Sequence, residues 1–126
     1  MVALLVDDEE TLRDIVERML KAEGYVVMQA SDGVEGLEIS RAYSGDIGLI
    51  VTDIVMPRMN GPEMLKHITA ERPEIKVLVM TGYATEGQDL PNLLRKPFKF
   101  DAFRAKLREV MTGDGALQRA NGLRNE

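Results

Sequence analysis

Five short apolar segments recur along the chain, and most are separated by segments whose apolar residues have helical spacing. The first, Val2–Val6, is continuously apolar, which is typical of a strand covered on both faces of a parallel sheet. Further segments occupy residues 25–29, 47–51 and 76–80, and a shorter one lies around residues 92–95. This alternation predicts an α/β fold, a doubly wound parallel sheet of five strands with right-handed crossovers and helices on both sides.

Turn and capping residues mark where the predicted helices begin and end. Ser31 or Asp32 can cap the second helix, and Pro62 suits the first turn of the third. Gly24 and Pro73 end the first and third helices. The last helix presents one apolar face made of Phe100, Phe103, Leu107, Val110 and Met111.

Length and composition limit the function classes. A chain of 126 residues fits one domain, which we predict over residues 1–112, followed by a flexible tail over residues 113–126. The absence of cysteine excludes disulfides, thiolate zinc sites and cysteine nucleophiles. A net charge of −5 argues against direct nucleic-acid binding, and no apolar run is long enough to span a membrane. We therefore expect a soluble, cytoplasmic protein.

Polar residues follow four of the predicted strands. Asp7 and Asp8 follow the first, Asp53 the third, Thr81 the fourth and Lys96 the fifth. Because the carboxyl ends of parallel strands share one edge of the sheet, these side chains should meet in one cleft. The alternative for Asp53 alone is that it only tightens the turn before Pro57.

The chemistry of this set favours a metal and a phosphoryl group. Three carboxylates repel one another unless a cation lies between them, and Mg²⁺ prefers such oxygen ligands. Lys96 supplies a second positive charge, and the Thr81 hydroxyl can donate a hydrogen bond. Asp53 could then act as a nucleophile toward phosphorus. Gly82, beside Thr81, leaves room for the incoming group.

In their order and positions, these residues resemble the receiver domain of two-component response regulators, over about residues 2 to 112. The resemblance implies a chemotaxis-regulator-like fold with the flavodoxin-like strand order 2-1-3-4-5. It also implies that Asp53 is the phospho-acceptor, Asp8 a direct Mg²⁺ ligand and Asp7 a ligand acting largely through water. The backbone carbonyl of Val55 would complete the metal site, Thr81 would follow the phosphoryl group, and Lys96 would pair with it.

The implied function is signalling. The domain would accept a phosphoryl group from a histidine kinase or a histidine phosphotransfer protein, and would change its binding to an unknown output partner without being an enzyme. A strand that starts at residue 2 suggests a piece of a longer chain, such as a hybrid histidine kinase. The alternative is a Mg²⁺-dependent phosphohydrolase working through an aspartyl-phosphate. Such an enzyme needs a second acid two residues after the nucleophile or nearby, and the valine at position 55 counts against it. A flavin carrier is disfavoured because the acids at residues 7–10 would repel its phosphate.

Two features depart from the family pattern. Leu93 stands where the family usually has an aromatic switch residue, three positions before Lys96. Only 15 positions separate Thr81 from Lys96, fewer than in most members by about two helical turns. We therefore expect the family's fourth helix to be short or absent, and residues 82–92 to be loop-like and to change their order on phosphorylation.

Overall fold

The computed structural model describes residues 1–82 and 92–113. These residues form a five-stranded sheet and four helices. The strands are β1 (Val2–Val6), β2 (Val26–Ala30), β3 (Leu49–Asp53), β4 (Lys76–Thr81) and β5 (Leu93–Arg95), and the helices are α1 (Glu10–Ala22), α2 (Gly33–Ala42), α3 (Gly61–Glu71) and α4 (Phe100–Thr112). The last helix predicted from the sequence is therefore α4.

All neighbouring strands pair in parallel, in the order β2-β1-β3-β4-β5. This confirms the predicted fold class and strand order. β3 occupies the centre of the sheet, which explains why its residues are buried along its whole length. The carboxyl end of β3 consequently lies between those of β1 and β4.

The sheet has a hydrophobic core on each face, because successive residues of a strand point to opposite sides. Leu4 belongs to the first core and Leu5 to the second. The first core is completed by residues of α2 and α3, namely Leu37, Met64, Leu65 and Ile68. The second is completed by residues of α1 and α4, namely Val16, Leu20, Phe103, Leu107 and Val110.

Side chains cap the two helices of the first core. The Asp32 carboxylate accepts the backbone N–H of Glu35 at 2.8 Å, so Asp32 is the cap of α2. The Glu35 carboxylate in turn accepts the backbone N–H of Ser31, the residue before the cap. Asn60 caps α3 by accepting the backbone N–H of Glu63 at 2.9 Å, and Pro62 lies in the first turn, as predicted.

At the other end of α2 and α3, Arg72 ties the two helices together. Its guanidinium donates to the carbonyl oxygens of Ser40, Tyr43 and Gly45 at 2.8 to 2.9 Å and to the Ser40 hydroxyl at 3.0 Å. These carbonyls lie at and beyond the end of α2, where helical partners are lacking. Arg72 therefore supplies the missing donors.

Strand boundaries lie close to the sequence prediction. The sequence predicts that the third strand carries Asp53 at its end, and β3 runs over Leu49–Asp53, starting two residues after the first residue of the apolar run 47–51. Thr52 pairs with Val6 and Asp53 pairs with Met80, so polar residues continue the strand beyond the apolar run. β2 begins at Val26, one residue later than predicted.

Two predictions fall on residues outside the described ranges. The short or absent helix between β4 and β5 concerns residues 83–91, and the flexible tail concerns residues 114–126. The domain boundary at residue 112 stays a prediction, although α4 ends there. None of the helices in the described ranges is both long and apolar enough to cross a membrane.

Candidate functional site

The register of the sheet brings the polar strand ends together. Val6 pairs with Thr52, and Thr52 with Val79, so Asp7 and Asp53 follow neighbouring positions at one edge. Thr81 is the last residue of β4 and pairs with Arg95, directly before Lys96. The predicted residues from four different strands therefore reach a single edge of the sheet.

Three carboxylates converge at this edge. One ligand oxygen from each of Asp7, Asp8 and Asp53 lies within 4.8 Å of the other two. Asp7 is completely buried, Asp53 is 8% exposed and Asp8 is exposed, so the cluster runs from the interior to the surface. An open cleft lies over it, lined by Asp8, Glu9, Asp53, Val55, Gly82 and Lys96.

Lys96 is the cation of the cluster. Its Nζ lies 2.7 Å from Oδ2 of Asp53 and 3.3 Å from Oδ2 of Asp7, and its side chain is 15% exposed. Burial alone would lower the pKa of Lys96, but its hydrogen bonds and charge interactions with Asp53 and Asp7 outweigh burial and raise that pKa. Lys96 is therefore protonated at neutral pH and fixed between two carboxylates.

The pKa of Asp7 shows how burial and a neighbouring carboxylate disfavour its negative charge. Burial raises the pKa of its carboxyl above the usual 3.8, and the negative charge of Asp53 adds to this. The backbone N–H of Glu9, 2.9 Å from Oδ1, and the ammonium of Lys96 act in the opposite direction but do not cancel it. The single positive charge of Lys96 therefore does not balance the negative charge of the three carboxylates.

The Asp53 carboxylate is held in a defined orientation. Its Oδ1 accepts the backbone N–H of Ile54 at 2.7 Å, while Oδ2 accepts Lys96. Its carbonyl oxygen lies so close to Gly61 that a Cβ there would meet it at 2.2 Å. The start of α3 is therefore packed directly against the backbone of the candidate nucleophile.

Thr81 and Val55 take positions beside this cluster. Thr81 is buried at the end of β4, and its carbonyl accepts the backbone N–H of Lys96 at 2.7 Å. Val55 is 44% exposed and lines the cleft. The Thr81 hydroxyl as a phosphoryl partner and the Val55 carbonyl as a metal ligand stay predictions.

Sequence reasoning missed two arginines that support the site. Arg13 of α1 donates to the backbone carbonyl of Asp7 and to the Gln29 side chain, each at 2.8 Å, and so joins the acidic turn to β2. Arg58, in the loop after β3, forms a two-point ion pair with Asp32. Single arginines carry no motif, and only the fold brings them to their partners.

The donor set fits Mg²⁺. Hard divalent ions select carboxylate oxygens, and the cluster offers three carboxylates, two of which also contact the Lys96 ammonium. The exposed member, Asp8, lines the cleft from which a hydrated ion would enter. The cluster is therefore consistent with the predicted metal.

Comparison with known proteins places this arrangement in a family. The family model of the response regulator receiver domain matches residues 3–108. The chain belongs to this family. It is thus a receiver domain of the two-component type, as the resemblance implied.

Relatives of this receiver domain include parts of kinases and of response regulators. It is 36% identical over 115 residues to the sensor kinase CckA of Brucella abortus, a match covering 86% of this chain and 12% of that protein. It is 30% identical to the response regulator MprA of Mycobacterium ulcerans, over 86% of this chain and 49% of the relative. The receiver domain therefore spans about half, or much less, of the length of these relatives.

Solved structures agree with the fold. The receiver domain from the hybrid histidine kinase CckA has 30% identity and a TM-score of 0.75, over 88% of this chain and 99% of that one. The response regulator protein TrrA of Thermotoga maritima, in complex with Mg(2+)-BeF, has 28% identity and a TM-score of 0.74, over 86% and 97%. The predicted family and fold are thereby confirmed.

Proposed function

We propose that this receiver domain accepts a phosphoryl group on Asp53 from the phosphohistidine of a histidine kinase or a histidine phosphotransfer protein. The observation that carries the proposal is the Lys96 ammonium 2.7 Å from Asp53 Oδ2, beside two further carboxylates. A carboxylate in this place is oriented, buried and adjacent to a fixed cation. These are the conditions for attack on phosphorus, in which positioning and charge neutralisation supply most of the catalysis.

In the proposed transfer, an oxygen of Asp53 forms a bond to phosphorus while the bond from phosphorus to the donor imidazole nitrogen breaks. The imidazole leaves with the electron pair and takes a proton from solvent, and Asp53 becomes an acyl phosphate. Lys96, protonated because its pKa is raised, then faces the new negative charge. Asp8, Asp53 and the Val55 carbonyl, with Asp7 acting through water, would hold Mg²⁺, which would neutralise charge on the phosphoryl oxygens.

The proposed donor class is supported by the names of two relatives, a sensor kinase and a hybrid signal transduction histidine kinase. Since such donors are charged from ATP, the receiver acts in the cytoplasm. Its output is a change in partner binding and not catalysis of a further reaction. A phosphohydrolase needs a group that activates water, and position 55, at the cleft, offers only the apolar side chain of a valine.

Incubation with Mg²⁺ and acetyl phosphate tests the proposal. The intact protein should gain one phosphoryl group, stable in acid and labile in base, detected by mass spectrometry. Asp53→Asn is the matched control, since it keeps the size of the side chain and removes the nucleophile. Undiminished labelling of that variant would refute the assignment, and so would equal labelling after removal of Mg²⁺ with a chelator.

A further inference from the structure

The loop of residues 54–60, which joins β3 to α3, carries the peptide carbonyl that the proposed metal site needs. Ile54 and Met56 are each only 7% exposed and anchor the first half of the loop in the core. Val55 lies between them and lines the cleft. The backbone N–H of Gly61 closes the loop on the Ile54 carbonyl at 2.7 Å.

The second half of the loop depends on Arg58. Its backbone has φ of 66°, in the left-handed region that few residues other than glycine adopt without strain. Next to it, the backbone N–H of Met59 donates to the Pro57 carbonyl at 2.7 Å, and the Met59 carbonyl accepts the N–H of Gly33 at 3.1 Å. The loop thus turns sharply and contacts the start of α2.

The Arg58 side chain fastens this turn. Its Nε donates to Oδ2 of Asp32 at 2.8 Å and its terminal nitrogen to Oδ1 at 3.1 Å. Although Arg58 itself is mostly exposed, the Asp32 side chain is only 9% exposed, and it also caps α2. The hydrogen bond from Arg58 holds the pKa of Asp32 below its usual range, so the pair is ionised at neutral pH. Two-point geometry on a fixed carboxylate separates it from an ordinary surface ion pair.

We propose that Arg58 and Asp32 are positioning residues of the metal site: their ion pair holds the loop so that Val55, which lines the cleft beside the acidic cluster, keeps the place from which its carbonyl would bind the metal. The inference rests on the proposed Mg²⁺ site. It adds that the loop of this site is supported by a residue at the amino end of α2. Neither residue contacts the metal ligands through its side chain in this role. Both act through the backbone of the loop.

Measurement of Mg²⁺ affinity in Arg58→Gln and Asp32→Asn separates positioning from simple charge effects. If only the long-range charge of each residue mattered, Arg58→Gln, which removes a positive charge, should strengthen Mg²⁺ binding. Asp32→Asn, which removes a negative charge, should weaken it. Positioning instead predicts that both variants bind Mg²⁺ about tenfold more weakly, the lower end of what the loss of an outer partner costs a metal site. The double variant should then be no weaker than either single one. Asn keeps the capping ability of position 32.

Affinities are followed by backbone amide NMR during MgCl₂ titration at constant ionic strength. Arg41→Gln is the matched control, because Arg41 forms a similar two-point pair with Glu71 at the opposite ends of α2 and α3. It should bind Mg²⁺ as the wild type does. Arg58→Gly, which removes the pair but accepts the positive φ freely, should lose affinity as Arg58→Gln does.

Amide hydrogen exchange without metal supplies a second readout, and residues 54–60 should exchange faster in the Arg58 and Asp32 variants than in the control. Opposite shifts of Mg²⁺ affinity in the two variants, or no shift in either, would overturn the positioning role. Absence of saturable Mg²⁺ binding in the wild type would instead overturn the proposed metal site itself. The two failures are thus distinguishable.

Discussion

Replacement of Gly61 by alanine would test how tightly α3 is packed against the backbone of Asp53. A Cβ at position 61 would lie 2.2 Å from the Asp53 carbonyl oxygen and 3.2 Å from the Cα of Ile54. Real Cβ atoms essentially never come closer than 3.0 Å to such an atom, so the gap must open by at least 0.8 Å. The atoms in the way are backbone atoms, and no side-chain rotation can relieve the contact.

The expected loss of stability is about 2 kcal/mol. Overpacking of this kind costs about 1 to 3 kcal/mol. Weakening of the hydrogen bond from the Gly61 N–H to the Ile54 carbonyl adds up to about 1 kcal/mol. The higher helix propensity of alanine offsets at most about 1 kcal/mol of this loss. The displacement also moves Asp53, and a shift of its carboxylate by about 1 Å can slow phosphoryl transfer by about 100-fold.

Urea unfolding followed by circular dichroism measures the stability, and labelling by acetyl phosphate measures the rate. Gly82→Ala is the control for stability, because among the residues that the structure describes a Cβ at position 82 meets nothing closer than Lys96 Cδ at 4.0 Å. That variant should unfold within about 0.5 kcal/mol of the wild type. If Gly61→Ala were as stable as Gly82→Ala, the packing of α3 on Asp53 would not be as tight as described.

Three further predictions concern single side chains. Arg72→Met should destabilise the protein by about 2 to 3 kcal/mol in urea unfolding, because three carbonyls and the Ser40 hydroxyl lose a charged donor; an unchanged midpoint would contradict this. The raised pKa of Asp7 means that the folded state binds its proton more tightly than the unfolded state, so the contribution of Asp7 to stability falls as pH rises from 3.8 through the folded pKa. In Mg²⁺-free buffer, Asp7→Asn should therefore stabilise the protein more at pH 7 than at pH 4, and a net loss at pH 7 would show that its pairing with Lys96 outweighs burial. Phosphorylated Asp53 should hydrolyse slowly, since Val55 cannot orient water, and Val55→Asn should speed the decay about tenfold; an unchanged decay rate would show that position 55 does not control water access.

Much of the fold could be predicted from the sequence because its signals are local. Continuous apolar runs identify buried parallel strands, and apolar spacing with capping residues identifies the helices. The general rule that parallel strands share a carboxyl edge then brings Asp7, Asp8, Asp53 and Lys96 together without any coordinates. The structure confirms that convergence.

Only the tertiary structure decided which atoms meet at that edge and what holds them. The sequence places Asp53 at the end of the third strand, but the pairing of Thr52 with Val6 and of Asp53 with Met80 is a matter of register that apolar periodicity does not contain. Arg13 reaches Gln29 across 16 positions of sequence, and Arg58 reaches Asp32 across 26. Such contacts depend on how the connections between strands bring distant elements together, as when the loop after β3 lies beside the start of α2. Their energy is set by distance and burial in three dimensions, and the order of residues along the chain encodes neither directly.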